Sequence, residues 1–196
     1  MLSRFEHRPV RAAPAGPQYW LFPPDSDTLP DMFAYLITIH AYRSWSEDNR
    51  RGYVQRGRPG IQPPNARLAA HRATISLHEP VRFDREQMSV AIDAAREVCV
   101  TLGQLPLAAS CTATHLHVLV KLADGTCDAD SLCARIKSIA GCKLSQRIST
   151  KGNRWFSRGN DITAVKDAAH LEHLLETYLP RHETNEGGLF CRWDRD

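Results

Sequence analysis

The order of hydrophobic and polar positions predicts strands and helices over most of the chain. The segment Ala34–Tyr42 is rich in β-branched and aromatic residues on both faces, which predicts a buried strand. Apolar residues at helical spacing follow Asp84, a good N-cap residue, and predict a helix that ends at Gly103. The same patterns predict strands at 105–111, 115–122 and 154–165, and a turn at 159–160 is expected to interrupt the last strand. They also predict helices at 128–148 and from 167 through Tyr178.

This order, β-α-β-β-α-β with a terminal helix, is that of a ferredoxin-like α+β fold. It predicts an antiparallel sheet with helices on one face and a C-terminal helix. Residues 1–30 hold six of the twelve prolines and predict an extended arm, which leaves 31–196 as a single domain. Glycines and prolines are frequent between residues 43 and 80, so we expect a long connection that is functional or partly disordered.

Composition excludes several classes of protein. The 196 residues are 42% hydrophobic and 24% charged, which argues against a wholly disordered chain. No apolar run reaches the length of a membrane-spanning helix, and the N-terminus lacks the apolar core of a secretory signal. The six cysteines show no CxxC spacing and are expected to be reduced thiols in a cytosolic protein. A structural zinc finger and a disulfide scaffold are therefore disfavoured.

The charges are unevenly distributed. Residues 131–160 hold seven Lys and Arg and no Asp or Glu, and residues 43–72 hold seven Arg against Glu47 and Asp48. Such stretches suit a polyanion, because Lys and Arg displace the counterions condensed on phosphates. The alternative is a solvated face with acids nearby in space. The residues that we expect to bind nucleic acid are Arg135, Lys137, Lys143, Arg147, Arg154, Trp155 and Arg158.

Three histidines and a tyrosine are the candidates for chemistry. His115 and His117 lie on a predicted strand, where residues two apart point to the same face and can share a metal ion. Alone, this pair is as well explained by a polar face of the sheet. Tyr178 and His182 lie one turn apart on the terminal helix, and a helix that crosses the sheet would bring them over the histidine pair. Tyr178 also continues an apolar stripe and is compatible with a role in the core.

These segments resemble the small single-tyrosine HUH transposases of bacterial insertion sequences, in particular the REP-associated tyrosine transposases. HUH denotes two histidines that flank a bulky apolar residue, as in Ala113-Thr-His-Leu-His-Val-Leu-Val120. Trp155-Phe-Ser-Arg-Gly159 and Leu174-Leu-Glu-Thr-Tyr178 carry further parts of the resemblance. Tyr42-Arg-Ser-Trp45 with Arg51-Gly52 is similar to the YGTW and ERG elements of one branch.

The resemblance implies an enzyme that cuts and rejoins single-stranded DNA. Tyr178 would attack a phosphodiester and keep the 5′-phosphate, while His115, His117 and His182 would hold a divalent metal ion, magnesium or manganese. The implied substrate is single-stranded or hairpin DNA, in transposition or the processing of repetitive palindromes. The implied location is the bacterial cytoplasm, at the nucleoid when bound to DNA, without a membrane partner and as a monomer or a homodimer.

Two features depart from the family pattern. The third ligand is usually Gln or Asn, whereas imidazole at His182 favours manganese or zinc over magnesium. Pro180 removes a helical hydrogen bond, and a kink there would take His182 away from the metal. The alternatives are therefore a catalytically inactive or domesticated single-strand-binding protein and a zinc-dependent nuclease in which Tyr178 is structural.

Overall fold

The structure is a computed structural model that describes residues 34–55, 57–123, 127–147 and 153–193. It is a mixed α+β domain whose main sheet is antiparallel. Its strands are β1 (Ala34–Ala41), β2 (Tyr53–Val54), β3 (Ile61–Gln62), β4 (Leu105–Cys111), β5 (His115–Lys121), β6 (Phe156–Ala164) and β7 (Leu189–Arg192). Its helices are α1 (Ala66–Ile75), α2 (Arg85–Thr101), α3 (Ala129–Arg147), α4 (Ala168–His173) and α5 (Arg181–Glu186), and a π-helical turn, Leu174–Tyr178, lies between α4 and α5.

Five strands form the main sheet in the order β6-β1-β5-β4-β7. The neighbouring interior strands β1 and β5 are rich in buried apolar residues, as expected for strands covered on both faces. The strands β2 and β3 pair separately as a small hairpin.

The two faces of the sheet carry separate apolar clusters. Ile37 and Val118 point to the face that packs with α2 and α3, and they belong to the larger cluster. Leu36 and Leu119 are the neighbours of Ile37 and Val118 in sequence and point to the opposite face. There they pack with leucines of the terminal helical segment, which comprises α4, the π-helical turn and α5. Because strand side chains alternate, His117 lies on the face of Leu119, under the terminal segment.

Several predicted boundaries agree with the structure to within two residues. Asp84 caps α2 in a capping box with Gln87, since each side chain accepts from the other residue's backbone N–H. The strand predicted at 105–111 is β4, and the one predicted at 115–122 is β5.

The structure differs from the predicted element pattern at three points. The long connection 43–80 contains the β2–β3 hairpin and α1, which the sequence pattern did not predict. The predicted turn at 159–160 is absent, and β6 runs through it with an irregularity in its pairing with β1 between Ile39 and Ala41. The strand β7 was not predicted, and it extends the sheet beyond β4.

The terminal helical segment is irregular where Pro180 interrupts it. Pro180 has no N–H to donate to Glu176, and the turn before it widens, so that Leu179 N–H donates to the Leu174 carbonyl five residues back at 3.0 Å. The chain then continues as α5 with Pro180 in helical conformation, so His182 stays on the side that faces the sheet.

The predicted arm, residues 1–30, lies outside the described residues. Within the described part of the chain, no helix combines the length and the apolar character needed to cross a membrane.

Candidate metal and tyrosine site

The histidine pair lies on β5 at the centre of the sheet. His115 and His117 project from the same face, and their ring centroids are 4.6 Å apart. His117 is buried, whereas His115, at the start of the strand, is partly exposed. The pair is therefore fixed by a central strand and open to solvent at one end.

The terminal segment brings a third imidazole to this pair. The ring centroid of His182 lies 5.5 Å from that of His115 and 4.8 Å from that of His117. One ligand nitrogen from each histidine lies within 4.8 Å of the others. In the described part of the chain, this group meets the geometry for a shared metal ion, so the residues predicted as ligands are together in space.

Each imidazole uses its Nδ1 atom in a hydrogen bond to a hydroxyl group. Thr38 Oγ1 lies 2.9 Å from Nδ1 of His117, and Ser110 Oγ lies 3.1 Å from Nδ1 of His182. Thr114 Oγ1 lies 2.8 Å from Nδ1 of His115. We call Thr38, Ser110 and Thr114 the hydroxyl shell.

The Nε2 atoms are the ring nitrogens that these hydroxyl contacts do not use. Nε2 of His117 is buried and has no hydrogen-bond partner, an arrangement that is costly unless a ligand occupies it. Nδ1 of His182 also lies 3.3 Å from the Leu179 carbonyl, and Nε2 of His182 lies 4.0 Å from a carboxylate oxygen of Glu186. The donor set thus fits a metal ion bound through Nε2 atoms, with outer-shell hydrogen bonds that orient the rings.

Burial keeps the imidazoles neutral, which is the form that binds metal. Desolvation, aided by neighbouring imidazoles, lowers the pKa of His117 to about 2 and that of His115 to about 4. Desolvation also lowers the pKa of His182, although the Glu186 carboxylate opposes it. All three are therefore ready to bind a cation at neutral pH without first losing a proton.

Tyr178 adjoins this group. Its ring centroid lies 5.4 Å from that of His117 and 5.0 Å from that of His182. The Arg181 guanidinium lies over the phenol ring, 4.5 Å from its centroid. Burial raises the pKa of Tyr178, and the positive charge of Arg181 opposes the rise. The side chain is only partly buried, so the phenol is accessible to a substrate.

The basic residues expected to bind nucleic acid are dispersed. Lys143 pairs with Glu97, and Arg147 pairs with Glu86 at 2.8 Å, so both meet acids of α2. Helix α3 packs on the face opposite the histidines, which places these two away from the candidate site. Arg135 is exposed on the same helix.

The other residues of that group lie around β6. Lys137 donates to three consecutive carbonyls of β6, and its pKa is lowered by desolvation. Trp155 is buried, and its Nε1 donates to Ser145 at 2.8 Å, so its ring is not presented for base stacking. Arg154 lies over the Tyr42 ring and Arg158 is exposed. DNA contacts by this group remain a prediction.

No family model and no curated protein matches the chain. Among solved structures, a REP-associated tyrosine transposase bound to a REP hairpin is similar over 83% of this chain and 75% of its own, with a TM-score of 0.46 and 14% sequence identity.

Some residues of the site were missed by sequence reasoning. Asp161, Thr38, His117 and Ser110 face each other across β6, β1, β5 and β4 in one row of the sheet. This row of residues results from the strand register, which a sequence motif does not reveal. Arg181 is next to the predicted ligand His182, and that adjacency was the one available signal.

Proposed function

We propose that the protein is a metal-dependent DNA strand transesterase of the HUH tyrosine type. The observation that carries the proposal is the proximity of Tyr178 to three imidazoles whose ligand nitrogens lie within 4.8 Å of one another. The segments that resemble HUH transposases in sequence contribute these same residues. The order of the four strands β6-β1-β5-β4 is compatible with a ferredoxin-like core, which supports the same proposal.

His115, His117 and His182 would hold the divalent cation through Nε2. A bound cation of this kind supplies Lewis-acid polarisation of a phosphoryl oxygen and orients the phosphate. Three neutral nitrogen donors suit manganese better than magnesium, so manganese is the expected cofactor of choice.

Tyr178 would act as the nucleophile. Its Oη forms a bond to the scissile phosphorus while the bond from phosphorus to the 3′ oxygen breaks. The phenol proton leaves to solvent, and the departing 3′ oxygen gains a proton to become a hydroxyl group. The 5′-phosphate stays on Tyr178, and attack by a 3′-hydroxyl on this phosphotyrosine reverses the step and rejoins the strand.

Arg181 and the position of Tyr178 favour this chemistry. A phenol with an ordinary or raised pKa is a weak nucleophile, and the guanidinium next to it stabilises the developing phenolate. The same cation also attracts the phosphate. The proposed substrate is a single-stranded or hairpin DNA, in transposition or palindrome processing.

The test is capture of a covalent adduct. Incubating the full chain with manganese and a labelled hairpin oligonucleotide that has single-stranded flanks should give a protein–DNA band resistant to denaturation. Tyr178→Phe should abolish the band, because Tyr178 is the tyrosine that the described residues place against the histidines, while metal binding stays within about twofold of wild type.

Tyr35→Phe is the matched control, since Tyr35 packs on the face of α2 and α3. It should leave the adduct unchanged. Cleavage that persists in Tyr178→Phe would contradict the proposal and favour a metal-dependent nuclease. DNA binding without any cleavage in the wild type would favour a single-strand-binding protein.

A further inference from the structure

A cleft adjoins the histidine site next to His40. It has a volume of about 560 Å³, within the range of small-molecule sites. The end of β1, the β2–β3 hairpin and the middle of β6 enclose it. The proposed transesterase does not use this space.

The cleft is continuous with the site. His40 lines it, and the His40 ring centroid lies 6.2 Å from that of His115. On the other side, the His40 ring centroid lies 6.4 Å from that of Trp45, which also lines the cleft. A strand whose phosphate reaches the histidines therefore has its next base within reach of the cleft.

One wall of the cleft is apolar and exposed. Trp45 is 46% exposed, Val54 75% and Ile61 71%, although all three are large apolar side chains. Trp45 is held in place because its Nε1 donates to the Gly52 carbonyl at 2.8 Å. A fixed and exposed indole is a surface on which a nucleobase can stack.

Glu47 and Asp161 are the carboxylates among the residues that line the cleft, and Glu47 pairs with Arg72. Asp161 lies on the sheet face of Thr38 and His117 and is exposed. A carboxylate accepts hydrogen bonds from an exocyclic amino group and repels phosphates. The base edge of a nucleotide, not its backbone, therefore suits this cleft.

We propose that this cleft binds one unpaired nucleobase that carries an exocyclic amino group, next to the scissile phosphate. Trp45 is the stacking surface, and Asp161 accepts from the amino group. The proposal rests on the proposed function, because it takes the occupant to be part of the DNA strand at the histidine site.

The test is the affinity of homopolymeric single strands, measured by fluorescence anisotropy with manganese. The protein is the full chain with Tyr178→Phe, so that no chemistry interferes. Oligo-dC and oligo-dT are compared because both bases are single rings of similar size and only cytosine has the amino group. We expect dC to bind about tenfold tighter than dT. Asp161→Ala should remove this preference.

The apolar wall is tested with a matched pair of charge substitutions. Val54→Glu places a negative charge in the cleft and should weaken binding of both strands about tenfold. Leu77→Glu makes the same charge change at a residue that is 92% exposed and outside the cleft, and it should change affinity by less than twofold. Trp45→Ala should weaken binding of both strands, and Trp45→Tyr should retain most of the affinity.

The outcomes separate the two proposals. Equal affinity for dC and dT, or equal effects of Val54→Glu and Leu77→Glu, would overturn the cleft proposal even if wild type forms the covalent adduct. Base preference that depends on Asp161 would support it even if no adduct forms. Failure to bind any single strand would overturn both.

Discussion

At the scale of single residues, the hydroxyl shell orients the histidine rings for metal binding. Outer-shell partners of metal-binding histidines are often carboxylates, which add negative charge as well as orientation. Here Thr38, Ser110 and Thr114 orient the rings without adding charge. The rings are oriented by uncharged groups, and the carboxylate of Glu186 lies at the edge of the site, 4.0 Å from Nε2 of His182.

Removing one hydroxyl should therefore weaken metal binding without unfolding the protein. Thr38→Val keeps the shape of the side chain and removes the partner of Nδ1 of His117, so manganese affinity should fall about tenfold, as measured by calorimetry. Thr74→Val is the control, because Thr74 is exposed on α1 and bonds only to the His71 carbonyl. Equal manganese affinity in both variants would show that the hydroxyl does not orient the ring.

The lowered pKa values of the histidines predict acid sensitivity of the metal-free protein. Below pH 6.5, the ordinary value, His115 and His117 take up protons in the unfolded chain before they do so in the folded one. The free energy of unfolding should therefore fall as pH decreases from about 6.5 towards 4, by up to about 1.4 kcal/mol per pH unit for each histidine. Urea denaturation at several pH values measures the slope.

The control for this slope is His117→Gln, which cannot be protonated. Its free energy of unfolding should depend less on pH in the same window. An identical slope in wild type and variant would mean that other groups cause the acid sensitivity.

At the scale of elements, the π-helical turn decides where Tyr178 points. Pro180→Ala restores a backbone donor and should let the turn Leu174–Tyr178 relax to an α-helix. The terminal segment would then rotate relative to the sheet. We expect an unchanged or higher melting temperature together with adduct formation slower by on the order of 100-fold, because small displacements of a nucleophile are costly. A loss of stability that matches the loss of activity would contradict this explanation.

The sequence predicts the long elements of this fold better than the short ones. The helix after Asp84 has both a cap and a sustained apolar period, so its start is predictable. The two-residue strands β2 and β3 are too short to show a period, and β7 is held by its pairing with β4. Tertiary contacts specify such strands, and a single sequence does not display these contacts.

At the scale of the whole molecule, the sheet separates the apolar layer formed with α2 and α3 from the layer that contains the candidate site. Leu144 and Leu179 are both fully buried, but Leu144 packs with the helices of one face, and Leu179 lies beside His182 on the other. Leu144→Ala and Leu179→Ala should each lower the free energy of unfolding by about 3 kcal/mol. We expect the loss of Leu179 alone to weaken manganese binding as well, and calorimetry on the folded fraction measures this difference.

The residues of the candidate site could be predicted from the sequence, but the position of the terminal helical segment and the cleft next to the site could not. The spacing of His115 and His117 and of Tyr178 and His182 follows from strand and helix periods, which a sequence displays. Whether Pro180 would carry His182 away could not be decided from the sequence, because it depends on how the helix adjusts around the missing hydrogen bond. The cleft beside His40 requires the register of β1 with β6 and the position of a hairpin that has no periodic signal.

The neutrality of the hydroxyl shell has a consequence for how the protein is handled. A divalent cation bound by three uncharged nitrogens keeps its full charge, and the Glu186 carboxylate near His182 balances this charge only in part, so a further anion is favoured. Inorganic phosphate and pyrophosphate resemble the group that the site is proposed to hold, and they would occupy it in competition with DNA. Phosphate-buffered preparations should therefore be inhibited at millimolar concentrations where chloride is tolerated, and an apparent lack of activity in such a buffer would reflect the choice of counterion.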